Sequence, residues 1–211
     1  IFMLDQDREL YFLSLQDEWQ LADDWEMTAG VRYDEYSDFG GTFNPRLALV
    51  WQTQHNLTTK FLYGEAFRAP SFQELYAINN PIVIGNADLD PETIQTTEIA
   101  FDYRPNFDWQ LMINLFAYQS ENLINWVSQG DGTNIAQNSG NQDGYGAELE
   151  AHWKPSDSLH IKAGYAWQES EDTHSKEHIA DAPGQVFDVN LNWAINDKIG
   201  LHLDTRWIMD R

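Results

Sequence analysis

Hydrophobic and polar residues alternate with period two along most of this chain, the signature of strands that show one face to an apolar phase and the other to a polar one. From Tyr145 the apolar set reads Tyr145, Ala147, Leu149, Ala151, Trp153, against Gly146, Glu148, Glu150, His152, Lys154. The same alternation runs through Trp25–Tyr33, Leu159–Trp167, Phe187–Trp193 and Ile199–Trp207, and the segment from Trp109 puts Leu111, Ile113, Leu115 and Ala117 on one face. "ELYFLSLQD", "NPRLALVWQ", "LTTKFLYGEAF" and "TTEIAFDY" alternate less strictly. The pattern predicts about ten strands of roughly nine to twelve residues, longer than the five or six usual in globular proteins. No stretch of helical period competes.

The connections are asymmetric. "ADD" (22–24), "TQHN" (53–56), "RPNFD" (104–108), "KPSDS" (154–158) and "INDK" (195–198) are short and polar. Between them come longer ones: "YSDFGGTF", residues 68–92, about 119–144 and about 169–184. Short and long alternate, so in an up-and-down antiparallel sheet all short turns share one rim and all long loops the other. That is the plan of a transmembrane β-barrel, with short periplasmic turns and long extracellular loops. On the apolar face Trp25, Trp51, Tyr103, Trp109, Trp153 and Trp193 sit beside the short turns. Tyr33, Phe67, Tyr165, Trp167 and Trp207 sit near the long loops, with aliphatic residues between. Two aromatic bands flanking an aliphatic one suit two membrane–water interfaces. A soluble β-sandwich binding module is the competing architecture, and strand length, loop asymmetry and banding tell against it.

Composition narrows the picture further. Hydrophobic residues are 42% and no run approaches a membrane-spanning helix, which leaves a barrel untouched. Twelve Lys and Arg against 34 Asp and Glu give a formal charge of -22, which repels phosphate backbones, so no nucleic-acid partner is expected. There is no cysteine, hence neither a disulfide framework nor a thiolate metal site. Residues 1–20 lack the pattern of a signal peptide, so either a cytoplasmic protein or a chain preceded by further residues is expected. No Ser–His–Asp or paired-carboxylate constellation reads as catalytic, and the outward positions that an outer-membrane hydrolase would need are aliphatic or aromatic.

The motifs within these strands carry a resemblance. "QDEW" (16–19), "MTAGVRYDEYSDFG" (27–40), "NPRLALVW" (44–51), "YGEAFRAPSFQELY" (63–76) and "GNADLDPETIQTTEIAF" (85–101) occur in that order. "NLFAYQSENLINW" (114–126) and "GYGAELEAHWKPSDSLHIKAGYAW" (144–167) follow. Together they resemble the TonB-dependent outer-membrane receptors that import siderophores, haem or cobalamin, over nearly the whole chain. The family motif falls on Phe67, Arg68, Ala69, Pro70, Asn86, Leu89, Pro91, Glu92 and Glu98. Pro70 and Ser71 end a strand, since proline cannot donate to the ladder. Asn86, Asp88, Asp90 and Pro91 are turn formers that bring the chain back. Glu98, Glu148 and Glu150, with Arg32, Arg46 and Lys162, lie on the polar face that a barrel turns to its lumen.

The resemblance implies a barrel of about 22 strands, a plug domain filling its lumen and an N-terminal TonB-contacting segment. Residues 1–211 are expected to be about ten strands from its middle, without plug or terminal strands and with unpaired first and last strands. It also implies a bacterial outer-membrane location and the partners outer-membrane lipid, the TonB complex and a transported ferric chelate, with no covalently bound cofactor. Haem receptors of the family carry a histidine between the two motifs; "SFQELYAINNPIVIG" here has none, which favours a ferric siderophore over haem and leaves cobalamin open. Candidate substrate-binding residues on the long-loop rim are Arg68, Gln73, Tyr76, Asn79, Asn80, Trp126 and Asn134, whose rings and amides suit a chelate.

Three further clusters need weighing. Reflection about a turn near Ser156 places His152 opposite His160 and Glu150 opposite Lys162, more a wall contact than a metal pair. The acidic stretch 168–181 holds two histidines, but reads first as a solvated loop. "GDGTN" (130–134) matches part of a calcium loop without its D-x-D-x-D-G order or closing Glu, so the pattern does not support calcium.

Overall fold

The computed structural model describes residues 3, 5–179 and 183–209. Its body is one antiparallel sheet in which each long strand pairs with the next along the chain: β1 (Leu10–Ala22), β2 (Trp25–Tyr36), β3 (Gly40–Gln54) and β4 (Leu57–Arg68) come first. After a helical turn, α1 (Phe72–Tyr76), and a two-residue strand, β5 (Val83–Ile84), the sheet resumes with β6 (Glu92–Asn106), β7 (Trp109–Ser128) and β8 (Asn134–Ser156). It ends with β9 (Leu159–Asp172), β10 (Gln185–Asn196) and β11 (Ile199–Met209). Only β5 leaves this order, lying parallel to β8. The all-β, up-and-down architecture with ten long strands is the one the alternation predicts. Among the described residues β1 and β11 have one neighbour each, which leaves two sheet edges.

Among the described residues no second layer covers the greasy side. Leu13 and Leu15 are 76% and 71% exposed, and Ile113, Leu149 and Leu203 are exposed as well. Directly opposed rings form the aromatic bands. Trp25 stacks on Trp51 and Trp109 on Trp153 beside the short turns, and Phe187 stacks on Trp207 at the other rim. Such cross-strand aromatic pairs each contribute up to about 1 kcal/mol beside the area they shield. Phe67 meets the Tyr36 ring edge-on at the long-loop rim.

The polar face is knitted by side-chain pairs between near neighbours. Arg32 clamps the buried Asp34 and lies over the Phe12 ring. Asn114 donates to Glu98 at 2.9 Å and reaches Glu148 at 3.5 Å. Arg104 and Gln110 converge on Asp102. These partners lie within the sheet: the two ion pairs each run along a single strand, and the amides of Gln110 and Asn114 reach carboxylates on neighbouring strands.

Each short hairpin closes through two residues, with a register irregularity beside the turn. That irregularity corrects the simple reflection about Ser156: between Trp153 and Ser156 the register shifts, so His152 faces Lys162 and His160 faces Asn192 of β10. Glu150 lies opposite Gly164, yet its carboxylate still takes Lys162 at 2.5 Å and His152 at 2.7 Å. The basin at this rim, about 1010 Å³, is lined by His152, His160, Lys162 and Arg104 among others.

Two long connections also differ from expectation. Residues 37–39 suffice between β2 and β3, because both strands run to the rim. The stretch 119–144 is mostly a two-stranded ribbon: β7 has 20 residues and β8 has 23, and only 129–133 form its turn. A tilted crossing needs about 9–11 residues, so the ribbon stands well beyond the wall. The alternation there is broken by bulges around Asn122 (φ 58) and Ser139, which hid the strands from a period-two reading.

A candidate recognition rim above the sheet

The only cluster of buried apolar side chains found among the described residues is not in the wall but above it. Leu75, Leu89 and Ala136 are 2%, 3% and 0% exposed, with Tyr76 and Ile124 packed against them. Two come from the connection between β4 and β6, one from the β7–β8 ribbon. The local sequence explains the arrangement. Ser71 and Glu74 form a capping box: Glu74 N–H donates to Ser71 Oγ, and Ser71 N–H donates to Glu74 Oε2 at 2.7 Å, which starts α1. One turn later the chain doubles back, with Gly85 N–H on Ala77 O and Asn86 N–H on Glu74 O, both 2.8 Å. A Cβ at Gly85 would stand 2.5 Å from Ala77 N and 2.7 Å from the Leu75 carbonyl, so only glycine fits.

β5 then pairs with the outer end of β8, Val83 with Asn134 and Ile84 with Ile135. That edge is open because β9 follows β8 only as far as the Asp172–Gln142 pair. Asn86 Nδ2 donates to Ala136 O, and Asn138 exchanges hydrogen bonds with Asp90 N–H and C=O at 2.9 Å each. Below, Arg68 and Glu92 are register partners at the root of the connection. Arg68 donates to both Glu92 oxygens and both Glu74 oxygens, while Glu92 also accepts Ile124 N–H at 2.8 Å. Burial by itself would raise the Glu74 carboxyl, but hydrogen bonds from Arg68 and Ser71 outweigh it and hold the group below the ordinary carboxylate range. The two carboxylates likewise push the Arg68 guanidinium upwards.

The expected binding residues separate under this geometry. Arg68 is committed to Glu74 and Glu92. The Asn80 side chain accepts Ile82 and Val83 N–H, and Asn134 donates through both backbone and side chain to Ile82 O. Tyr76 packs on the small core. Gln73 and Asn79 are exposed, Asn79 with φ 53, and Trp126 is 39% exposed in the ribbon opposite Ala136. Of the motif residues, Pro70 and Leu89 are buried, Asn86 and Glu92 tie the connection to the ribbon, Ala69 and Pro91 flank it, and Glu98 lies lower on the polar face.

Arg8 is the participant that reading the sequence misses. From just before β1 it donates to Asp38 and to Pro70 O at 2.8 Å, with the Tyr36, Phe39 and Phe72 rings 4.8–5.6 Å from its guanidinium. An isolated arginine before a strand carries no local signal; the capping box S-x-x-E does, and would have placed α1.

Elsewhere on this rim, Asp131 accepts Thr133 N–H and Oγ–H within the turn 129–133. Asp172 accepts His174 and Ser175 N–H, and Lys176 pairs with Glu171. Residues 180 and 181 of the acidic stretch lie outside the described residues. Among the described residues no three His, Asp or Glu side chains converge as metal ligands.

A single sheet of long strands, apolar and exposed on one side, polar and cross-linked on the other, with a structured cap at one rim, defines the wall of an outer-membrane barrel. Comparison specifies which. Residues 3–210 match the family described as TonB dependent receptor-like, beta-barrel, and the chain belongs to that family. The iron-regulated outer membrane virulence protein of Vibrio cholerae is 26% identical over 207 residues, 88% of this chain and 31% of that protein. The vitamin B12 transporter BtuB of Vibrio cholerae is 28% identical over 125 residues, 59% of this chain and 19% of its own length. The crystal structure of the siderophore receptor PirA from Pseudomonas aeruginosa superposes with a TM-score of 0.79 at 21% identity, over 95% of this chain and 37% of that one. The chain thus spans about a third of the first relative and a fifth of the second. An outer-membrane location follows from the family, whose members are receptors rather than enzymes.

Proposed function

We propose that the receptor carrying this chain binds a ferric siderophore on the long-loop rim and imports it with energy delivered through TonB. The observation that carries this reading is the match to an iron-regulated outer membrane virulence protein along 88% of the chain. The absence of histidine from the connection between the two motifs agrees with a chelate over haem. On this reading Gln73, Asn79 and Trp126 contact the chelate, whereas Arg68, Tyr76, Asn80 and Asn134 hold their support in place. The two guanidinium groups that hold the connection, Arg8 and Arg68, are both committed to carboxylates. Recognition by this part of the rim therefore relies on ring stacking and amide hydrogen bonds. The lumen carboxylates and cations of the wall face the plug domain supplied by the rest of the receptor.

Cobalamin is the second reading, favoured by the similarity to BtuB over 59% of the chain. Growth of a receptor-deletion strain on single iron sources separates the two. Loss of use of at least one ferric siderophore, restored by the gene in trans, is the expected result. Normal growth on every ferric siderophore, together with a cobalamin defect, would replace the first reading by the second.

A further inference from the structure

The connection 69–91 looks at first like a lid: it is long, rich in turn formers and placed at the mouth. Its attachments say otherwise. In sheet order it reaches from the β1–β3 tips, across β4, β6 and β7, to the outer edge of β8. At the first end Arg8 holds Pro70 O and Asp38 while lying among three rings. The Asp38 side chain is 6% exposed, so releasing Arg8 would strand a nearly buried carboxylate without its counter-charge, a costly state. At the far end β5 completes the open edge of β8, and the close approach at Gly85 packs the doubled-back chain without room for a methyl group. In between, Arg68 ties α1 to β6.

We propose that residues 69–91 form a fixed crossbeam over the mouth rather than a lid, with the β5–β8 pairing as the pin at one end and Arg8 as the positioning residue at the other. The inference rests on the uptake reading above only in that the crossbeam would present Gln73 and Asn79 at a constant offset from Trp126. A preformed offset spares the ordering cost that a mobile loop incurs on each binding event. Movement during uptake then belongs to other parts of the receptor.

A disulfide placed across the pin tests this. Ile84 and Ile135 are parallel register partners, and the chain contains no cysteine of its own. Ile84→Cys with Ile135→Cys in the whole receptor, displayed in its outer membrane, should cross-link nearly completely without any added chelate. Cross-linking that stays low until a chelate is added would overturn the crossbeam, and this arm holds whatever the receptor imports. The second arm measures uptake of iron-55 as ferric enterobactin and as a ferric trihydroxamate, before and after dithiothreitol. Oxidised and reduced forms should agree within about twofold. An oxidised form that binds but does not import, rescued by reduction, would overturn the proposal. Failure of both forms on every chelate would instead overturn the uptake reading, leaving the first arm to decide on the crossbeam. For Arg8, Arg8→Ala should weaken chelate binding about tenfold with the saturated uptake rate unchanged, and Arg8→Lys should recover part of it. A fall in the saturated rate at unchanged affinity would contradict a positioning role.

Discussion

The wall and the crossbeam obey the same hydrophobic effect with opposite results. In the wall, Leu149, Ile113 and Leu203 turn away from the protein and stay exposed, while Asn114 donates to Glu98 and Glu148 on the other side. In the crossbeam, Leu75 and Leu89 turn inward against Ala136 and are sealed, while Gln73 and Asn79 face outward. The difference teaches which solvent each region meets. A leucine facing acyl chains has no reason to hide; a leucine facing water does. Cohesion differs accordingly: the wall rests on its backbone ladder and same-face pairs, whereas the crossbeam has a small water-excluded core and a set of charged clasps.

The contrast is broken most forcefully by exchanging the treatments. Leu75→Ala should destabilise the crossbeam by about 2–5 kcal/mol, visible as protease cleavage within 69–91 of an otherwise intact receptor. Leu149→Ala, on the lipid face, should have little effect on folding yield. Leu149→Arg, by contrast, should cost about 2–4 kcal/mol of insertion. Its readout is the fraction of heat-modifiable barrel on gels. Equal tolerance at Leu75 and Leu149 would mean that both regions meet the same solvent.

A smaller effect is expected at Gly85, where a methyl group meets backbone rather than a yielding side chain. Gly85→Ala should cost about 1–3 kcal/mol, confined to the crossbeam. It should weaken chelate binding while the wall keeps its heat-modifiable migration.

The smallest effect sharpens the comparison by pH. The Glu74 carboxyl is held below its ordinary range in the folded crossbeam, so its contribution is fully present above the unfolded pKa. It fades as acid protonates the group through its lowered folded pKa. Cleavage within 69–91 should therefore rise below about pH 4, and Glu74→Gln should flatten that rise. A wild-type profile that stays flat well below that pH would sink the clasp.

Much of this was legible in the residues alone, and unevenly so. Alternation in Tyr145–Trp153 and Ile199–Trp207 marks the strands because each side chain there chooses between only two phases. The upper ribbon is not legible: bulges at Asn122 and Ser139 break the period, so the strand there reads as loop. The pairing of His152 with Lys162 is hidden for a related reason, since a bulge beside the turn moves every partner behind it. On the rim, the motif marked where the connection lies but not what its members do. Arg68 reads as a ligand-facing cation until Glu74 and Glu92 are seen around it. Asn134 and Asn80 read as recognition amides until Ile82 and Val83 are placed beside them.

Local information therefore determined the strands, their apolar side, the two aromatic bands and the alternation of short and long connections. Each depends on neighbours within a few positions, and on a side chain's preference for oil or water. Only the tertiary structure decided that residues 69–91 reach β8, that Arg8 grips Pro70 from 62 positions away, and which rim residues remain exposed. Those contacts join segments far apart in the chain, and they form because an open strand edge, a partly buried carboxylate and three small apolar groups meet above the sheet.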